Sequence, residues 1–204
     1  MMLLLLGGVT IASLLSSPPG IQPVFDLKGR ACTATPDLTT GESLPYAGRE
    51  KTFDGDIGPA APCLQTAQGA VLYRVFQLPA GGTYVITVTS EPSGGAILLP
   101  QVLLLGTSGE VKREVGRDDL MYRNRGLSAR FRSHADEAYL VVESDPLVVG
   151  NSVSRVVEST NSMVAPVGVG GYVAIHTGND ETTQLTYSHT GKVEIALEPL
   201  PDPK

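Results

Sequence analysis

The stretch AVLYRVFQLPAGGTYVITVTSEPSGGAILLPQVLLL, residues 70–105, decides the fold. Thr83 to Thr89 alternates Thr, Tyr, Val, Ile, Thr, Val, Thr, a β-branched pattern with the period of two expected of a half-buried strand. Before it, Val71 to Phe76 is a strand candidate, and Leu78-Pro79-Ala80-Gly81-Gly82 makes a turn. After it, Glu91 to Gly95 turns into Ala96–Leu105, nearly all apolar and bent at Pro100. Further along, Glu110–Val115, Leu127–Arg132, Ala138–Val142, Tyr172–His176, Gln184–His189 and Lys192–Leu197 repeat the theme. Short strands with turn signals at regular spacing predict an all-β fold, an antiparallel β-sandwich over 70–200. A short helix is expected only at Asp118–Asn124.

Composition agrees. The 204 residues include 23 Gly and 15 Pro, too many for long helices, while 42% hydrophobic residues suffice for a core. The 15 basic against 21 acidic residues give a net charge of −6, which argues against a dedicated nucleic-acid binder.

Residues 1–19 read as a signal peptide. Leu3–Leu15 is mostly apolar, too short for the about 20 residues of a membrane span, and Ser16-Ser17-Pro18-Pro19 follows it. No Lys or Arg precedes the apolar run, and the alternative is a short buried strand or helix. Residues 20–69 are rich in Pro, Gly and Thr and read as an extended N-terminal arm. Its two cysteines, Cys32 and Cys63, are expected to form one disulfide in an exported chain. Arg30 near Cys32 argues against lipid attachment there. From Leu147 to Gly171 Val and Ser alternate among glycines, and the segment is either an extra hairpin or a mobile interaction loop.

The order of motifs from 76 to 198 resembles the maltose-operon periplasmic (MalM-like) family. Leu78-Pro79-Ala80 precedes the Thr-rich strand ending Thr89-Ser90-Glu91. Pro100-Gln101-Val102-Leu103-Leu104-Leu105, Ala138-Tyr139-Leu140-Val141-Val142 and Gly191-Lys192-Val193 follow. The sandwich is also similar to jelly-roll domains of the bacterial pre-peptidase C-terminal type. The resemblance covers somewhat over half of the chain. It implies a periplasmic or outer-membrane associated accessory protein without catalytic residues, acting near glycan uptake or in an envelope assembly.

Charge is distributed unevenly. Residues 111–132 carry Lys112, Arg113, Arg117, Arg123, Arg125, Arg130 and Arg132 against Glu114, Asp118 and Asp119. Seven minus three is +4, which leaves −10 for the rest of the chain. With Tyr122 among them, these arginines form a candidate docking patch for an acidic partner, glycan or lipid headgroup. The other reading is a solvated face paired with the chain's own acids.

Catalytic signals are weak. Ser133, His134 and Asp136 are close in sequence, but that does not make a triad. The carboxylates Asp54 and Asp56, or Asp118 and Asp119, fall in turn-like sequence. Two cysteines and three scattered histidines lack metal-ligand spacing, and no cofactor motif is present. The sequence therefore favours a non-catalytic envelope protein that binds a protein partner or a polysaccharide, with peripheral membrane contact open. Carbohydrate binding is the alternative; with no Trp, its stacking positions would be Tyr46, Tyr122 and Tyr172. A hydrolase built on His134, His176 or His189 is the third reading.

Overall fold

The computed structural model describes residues 25–45, 50–80, 82–123, 126–167 and 171–200, with the side chains of 156–181 and 199 left out. The expected signal segment, Tyr46 and Arg125 lie outside the described residues, as do the side chains of Tyr172 and His176. In chain order the strands are β1 (Glu42–Ser43), β2 (Lys51–Asp54), β3 (Cys63–Thr66), β4 (Gly69–Gln77), β5 (Tyr84–Glu91), β6 (Ala96–Ile97) and β7 (Pro100–Leu105). Then come β8 (Val111–Val115), β9 (Met121–Arg123), β10 (Gly126–Arg132), β11 (Tyr139–Ser144), β12 (Ser152–Val167), β13 (Gly171–Tyr187) and β14 (Lys192–Pro199).

Two sheets pack as a sandwich. One runs β1-β4-β11-β7-β8 with β3 also on β4; the other runs β2-β14-β5-β10-β9. Most pairings are antiparallel, and β1 on β4 is parallel. Strand β5 follows its sequence pattern: Tyr84, Ile86, Val88 and Ser90 are buried while the residues between them are half-buried. The inward sets of both sheets meet in one core. Leu72, Phe76, Val102, Leu104, Leu140 and Val142 come from one side, Ile86, Val88, Ala129, Ile195 and Leu197 from the other. Each such side chain contributes roughly 1.5–3 kcal/mol on burial.

The first sheet is covered on its outer face too. Val71, Tyr73, Val75, Leu105 and Val141 form a second cluster with Leu64, and Leu38 packs against it. Leu38 sits in a single 3-10 turn, Leu38–Thr40, capped by the Asp37 carboxylate accepting from the Thr39 N–H. The Asp37 N–H donates to the Tyr73 hydroxyl at 2.9 Å. The Cys32–Cys63 disulfide is present, and beside it Thr33 N–H donates to Cys63 O at 2.9 Å. The 25–69 stretch thus supplies strands to both sheets: β1 and β3 border β4, and β2 pairs with β14.

Two local expectations change. Pro100 opens β7, so the apolar 96–105 run divides into β6 and β7. The short helix expected at 118–124 is instead a 3-10 turn at Arg117–Asp119 followed by edge strand β9. Asp118 and Asp119 resemble the acidic first turn of a helix, but the Asp119 carboxylate accepts from the Gly116 N–H and closes the turn. At the start of β10, Gly126 passes so close to Ser90 that a Cβ would collide with its carbonyl.

The segment after Leu147 is a hairpin far longer than the sandwich strands, β12 of 16 residues against β13 of 17.

The disulfide closes a 31-residue separation between the arm and β3. Cys32→Ala/Cys63→Ala is expected to lower unfolding free energy by roughly 3–4 kcal/mol in denaturant titrations. Thiol titration of the native protein should find no free thiol.

Candidate functional site

The chain's most distinctive feature is the place where the long hairpin leaves the sandwich. Its root is held by backbone bonds and apolar packing. Thr186 and Tyr187 pair in parallel with Ala96 and Ile97. Thr186 N–H donates to Gly95 O at 3.0 Å and Ser188 N–H to Ile97 O at 3.0 Å. Gly150 N–H donates to Tyr187 O and Tyr187 N–H to Asn151 O, both at 2.9 Å. Gly150 has φ +87°, a conformation open to glycine at little steric cost, and it turns the chain into β12. Beneath these bonds Ile97, Leu99, Leu127 and Leu185 form a buried cluster joined by Leu120, Val148, Val153 and Tyr187. From Val156↔Thr182 to Val167↔Gly171, twelve successive pairs, the ribbon meets no third strand among the described residues. At about 3.4 Å per residue those pairs extend for about 40 Å.

The basic cluster of the sequence is divided between the sheets. Arg113 on β8 bonds Glu137 at 3.2 Å and the Arg132 carbonyl at 2.7 Å, with its guanidinium 5.5 Å from the Phe131 ring centroid. Arg130 on β10 pairs with Glu198 at 2.7 Å. Lys112 lies between Glu110 and Asp136 at 3.1 and 3.2 Å. Arg123 contacts the Met121 sulfur, and Arg132 is exposed.

Two members come to the hairpin root. Arg117 bonds Asp145 at 2.6 Å. Tyr122 is exposed, with the guanidinium of Arg155, from β12, 5.2 Å from its ring centroid. Burial raises the Tyr122 hydroxyl above its ordinary value, with Tyr187 adding to the effect and Arg155 opposing it.

The histidine constellations resolve differently. Ser133 is buried, and its hydroxyl accepts from the Tyr84 N–H at 2.8 Å. Asp136 faces Lys112, so Ser133, His134 and Asp136 are not brought together. His189 instead meets Ser144, Nδ1 to Oγ at 2.8 Å, a pair 45 residues apart that no local motif announces. Ser144 is 0% exposed, which closes its hydroxyl to a substrate. Burial holds the His189 imidazole below its ordinary value. Asp54 accepts from the Asp56 N–H, and Asp56 from the Val193 N–H, each at 2.8 Å, so both carboxylates organise a turn. No group of three His, Cys, Asp or Glu among the described residues is placed to hold a metal ion.

A cleft of about 470 Å³ opens beside the root, lined by Asp56, Thr186, Ser188, Thr190 and Lys192 among others. It is rich in hydroxyl groups, and no aromatic residue among the described ones lines it.

Next to Ser144, Glu143 is 3% exposed, and its Oε2 has no hydrogen-bond partner among the described residues. Its strand neighbours are Tyr73 and Gln101. Burial, reinforced by Glu114 and Asp145, pushes its carboxyl up to about 7.

Comparison with protein-family models, curated proteins and solved structures finds no match, so function is read from this chain's own chemistry.

A carboxyl raised on folding binds its proton more tightly in the native state. Its protonated form is tolerated below the unfolded value near 4.5, and stability falls as pH rises from there through about 7. Glu143→Gln is expected to remove that decline. In thermal melts the variant should gain on the wild type with increasing pH, by up to about 3 kcal/mol above neutrality.

Proposed function

We propose that this chain is a non-catalytic exported protein of the cell envelope that binds a protein partner or assembly, with the β12–β13 ribbon as its working element. One observation carries the reading: twelve residue pairs extend past the root with both outer edges free of any other described strand. Open edges offer backbone N–H and C=O groups in register, the means by which a strand of a second protein is added. A two-stranded ribbon is at best marginally stable alone in water, so one this long gains by pairing.

Export is supported by the apolar segment Leu3–Leu15 and by the disulfide, which persists in oxidising compartments. A periplasmic or outer-membrane association fits both, and so does the MalM-like resemblance of the strand motifs. The division of the arginines, three of them in ion pairs within the chain, turns attention from the basic patch to the ribbon. Carbohydrate binding is the second reading. It rests on the hydroxyl-lined cleft at the root and lacks a stacking platform there.

Two variants test the reading in intact envelopes. The first places a photo-crosslinking residue at Thr160, on the ribbon. The second replaces residues 156–181 by a short Asn-Gly turn. The first is expected to give one discrete adduct containing a second protein. The second is expected to keep the wild-type melt and to lose co-purification with that protein. Absence of any adduct, together with a thermal shift on adding maltodextrin, would overturn the proposal in favour of the cleft.

A further inference from the structure

The ribbon is not uniform along its length. Its last five described pairs are Met163↔Ile175, Val164↔Ala174, Ala165↔Val173, Pro166↔Tyr172 and Val167↔Gly171. None of these ten residues carries a charge, amide, carboxyl or aliphatic hydroxyl; the Tyr172 phenol is the one polar group. The next pairs toward the root change character at once: Ser162↔His176, Asn161↔Thr177, Thr160↔Gly178, Ser159↔Asn179 and Glu158↔Asp180. Successive pairs of a β-ribbon fall on opposite faces. Five consecutive apolar pairs therefore make both faces of the distal end apolar, above a stem polar on both faces.

We infer that this distal end is a membrane wedge that seats in the interfacial layer of a lipid bilayer. A protein groove or flat surface covers one face of a ribbon, whereas a lipid layer surrounds both. The dimensions agree. Five pairs extend for about 17 Å, too short to cross a hydrocarbon core of about 30 Å, so the wedge stays in the interfacial layer of one leaflet.

Backbone chemistry limits its depth, because outward N–H and C=O groups of a lone ribbon have no partner in hydrocarbon. Pro166 lacks an N–H, which removes one such donor. Tyr172 is of the aromatic class that favours the headgroup level. Electrostatics select the lipid. Glu158, Asp180 and Glu181 below the wedge, and a net charge of −6, oppose an anionic surface, so neutral lipid is the favoured target. The inference takes from the preceding section only that the ribbon is the working element.

The test uses the purified chain with neutral phosphatidylcholine vesicles in flotation assays. The wild type is expected to float with the vesicles, equally at low and high salt. Met163→Asp and Ile175→Asp are each expected to weaken partitioning by roughly a hundredfold. Arg123→Ala, outside the five distal pairs, should float as the wild type does. The chain has no Trp, so Tyr172→Trp and Thr160→Trp each provide a single reporter. Vesicles should shift the emission of the first to the blue and leave the second unchanged. A wild type that stays below the vesicles, or two reporters that respond alike, overturns the wedge. Stem crosslinks that persist without flotation remove this inference alone, and flotation without stem crosslinks removes only the protein-partner reading.

Discussion

Strand β4 carries apolar side chains on both faces, and covering both is the constraint on which the rest of the structure depends. Leu72 and Phe76 face the opposite sheet, while Val71, Tyr73 and Val75 face outward. The second sheet satisfies the first set in the ordinary manner of a sandwich. The second set needs a separate cover, and the chain takes it from the residues that precede the strand. The turn holding Leu38 packs against the outer cluster, which Leu64 of β3 extends, the Asp37 N–H engages the Tyr73 hydroxyl, and the disulfide secures the segment at β3. A Pro- and Gly-rich stretch has little regular structure with which to hold that position. The covalent link reduces the entropy the unfolded arm would otherwise regain.

The same seam collects the buried polar groups. Glu143 and Ser144 end β11 and Asp145 follows it, and all three are buried. Each meets a different fate: no partner at one oxygen, His189, and Arg117. Glu143 costs stability when ionised, because burial penalises the charge and Glu114 and Asp145 repel it. Asp145 is the opposite case, held by a guanidinium and by the Leu147 N–H at 2.9 Å. Three adjacent residues thus show that a carboxylate's environment, and not its burial alone, sets its effect.

Sequence made the sandwich legible where one face is apolar and the other polar, as in β5 and β14. It also made the cysteine pairing legible, since two cysteines leave one possible pairing. It failed where strand and hydropathy part company. The middle of β13 contains Gly178-Asn179-Asp180-Glu181, residues depleted in strands. The pattern therefore predicts two strands where one continuous strand runs, and over β12 it fits a hairpin and a loop equally. The basic cluster was legible as composition but not as a surface. Chain proximity between 111 and 132 spans a hairpin within one sheet and a crossing between sheets, which sends Arg113 and Arg130 to different partners. The Ser144–His189 contact had no local signal, because strand order alone brings those positions together.

The ribbon poses the opposite problem from β4. Its stem places Glu158 across from Asp180, like charges in register, and its outer edges meet no other described strand. Open edges subtract from stability, so packing against the sandwich at Ile97, Leu99 and Leu127 has to hold the element from one end. An element that weakens its own folding is explicable when its unsatisfied groups are what a partner satisfies. The apolar pairs 163–167 with 171–175 lie at the end farthest from the root, beyond pairs of polar residues. That order matches an arm that crosses water before it reaches its target. A ribbon serving only to close the sandwich would need neither the length nor the apolar end.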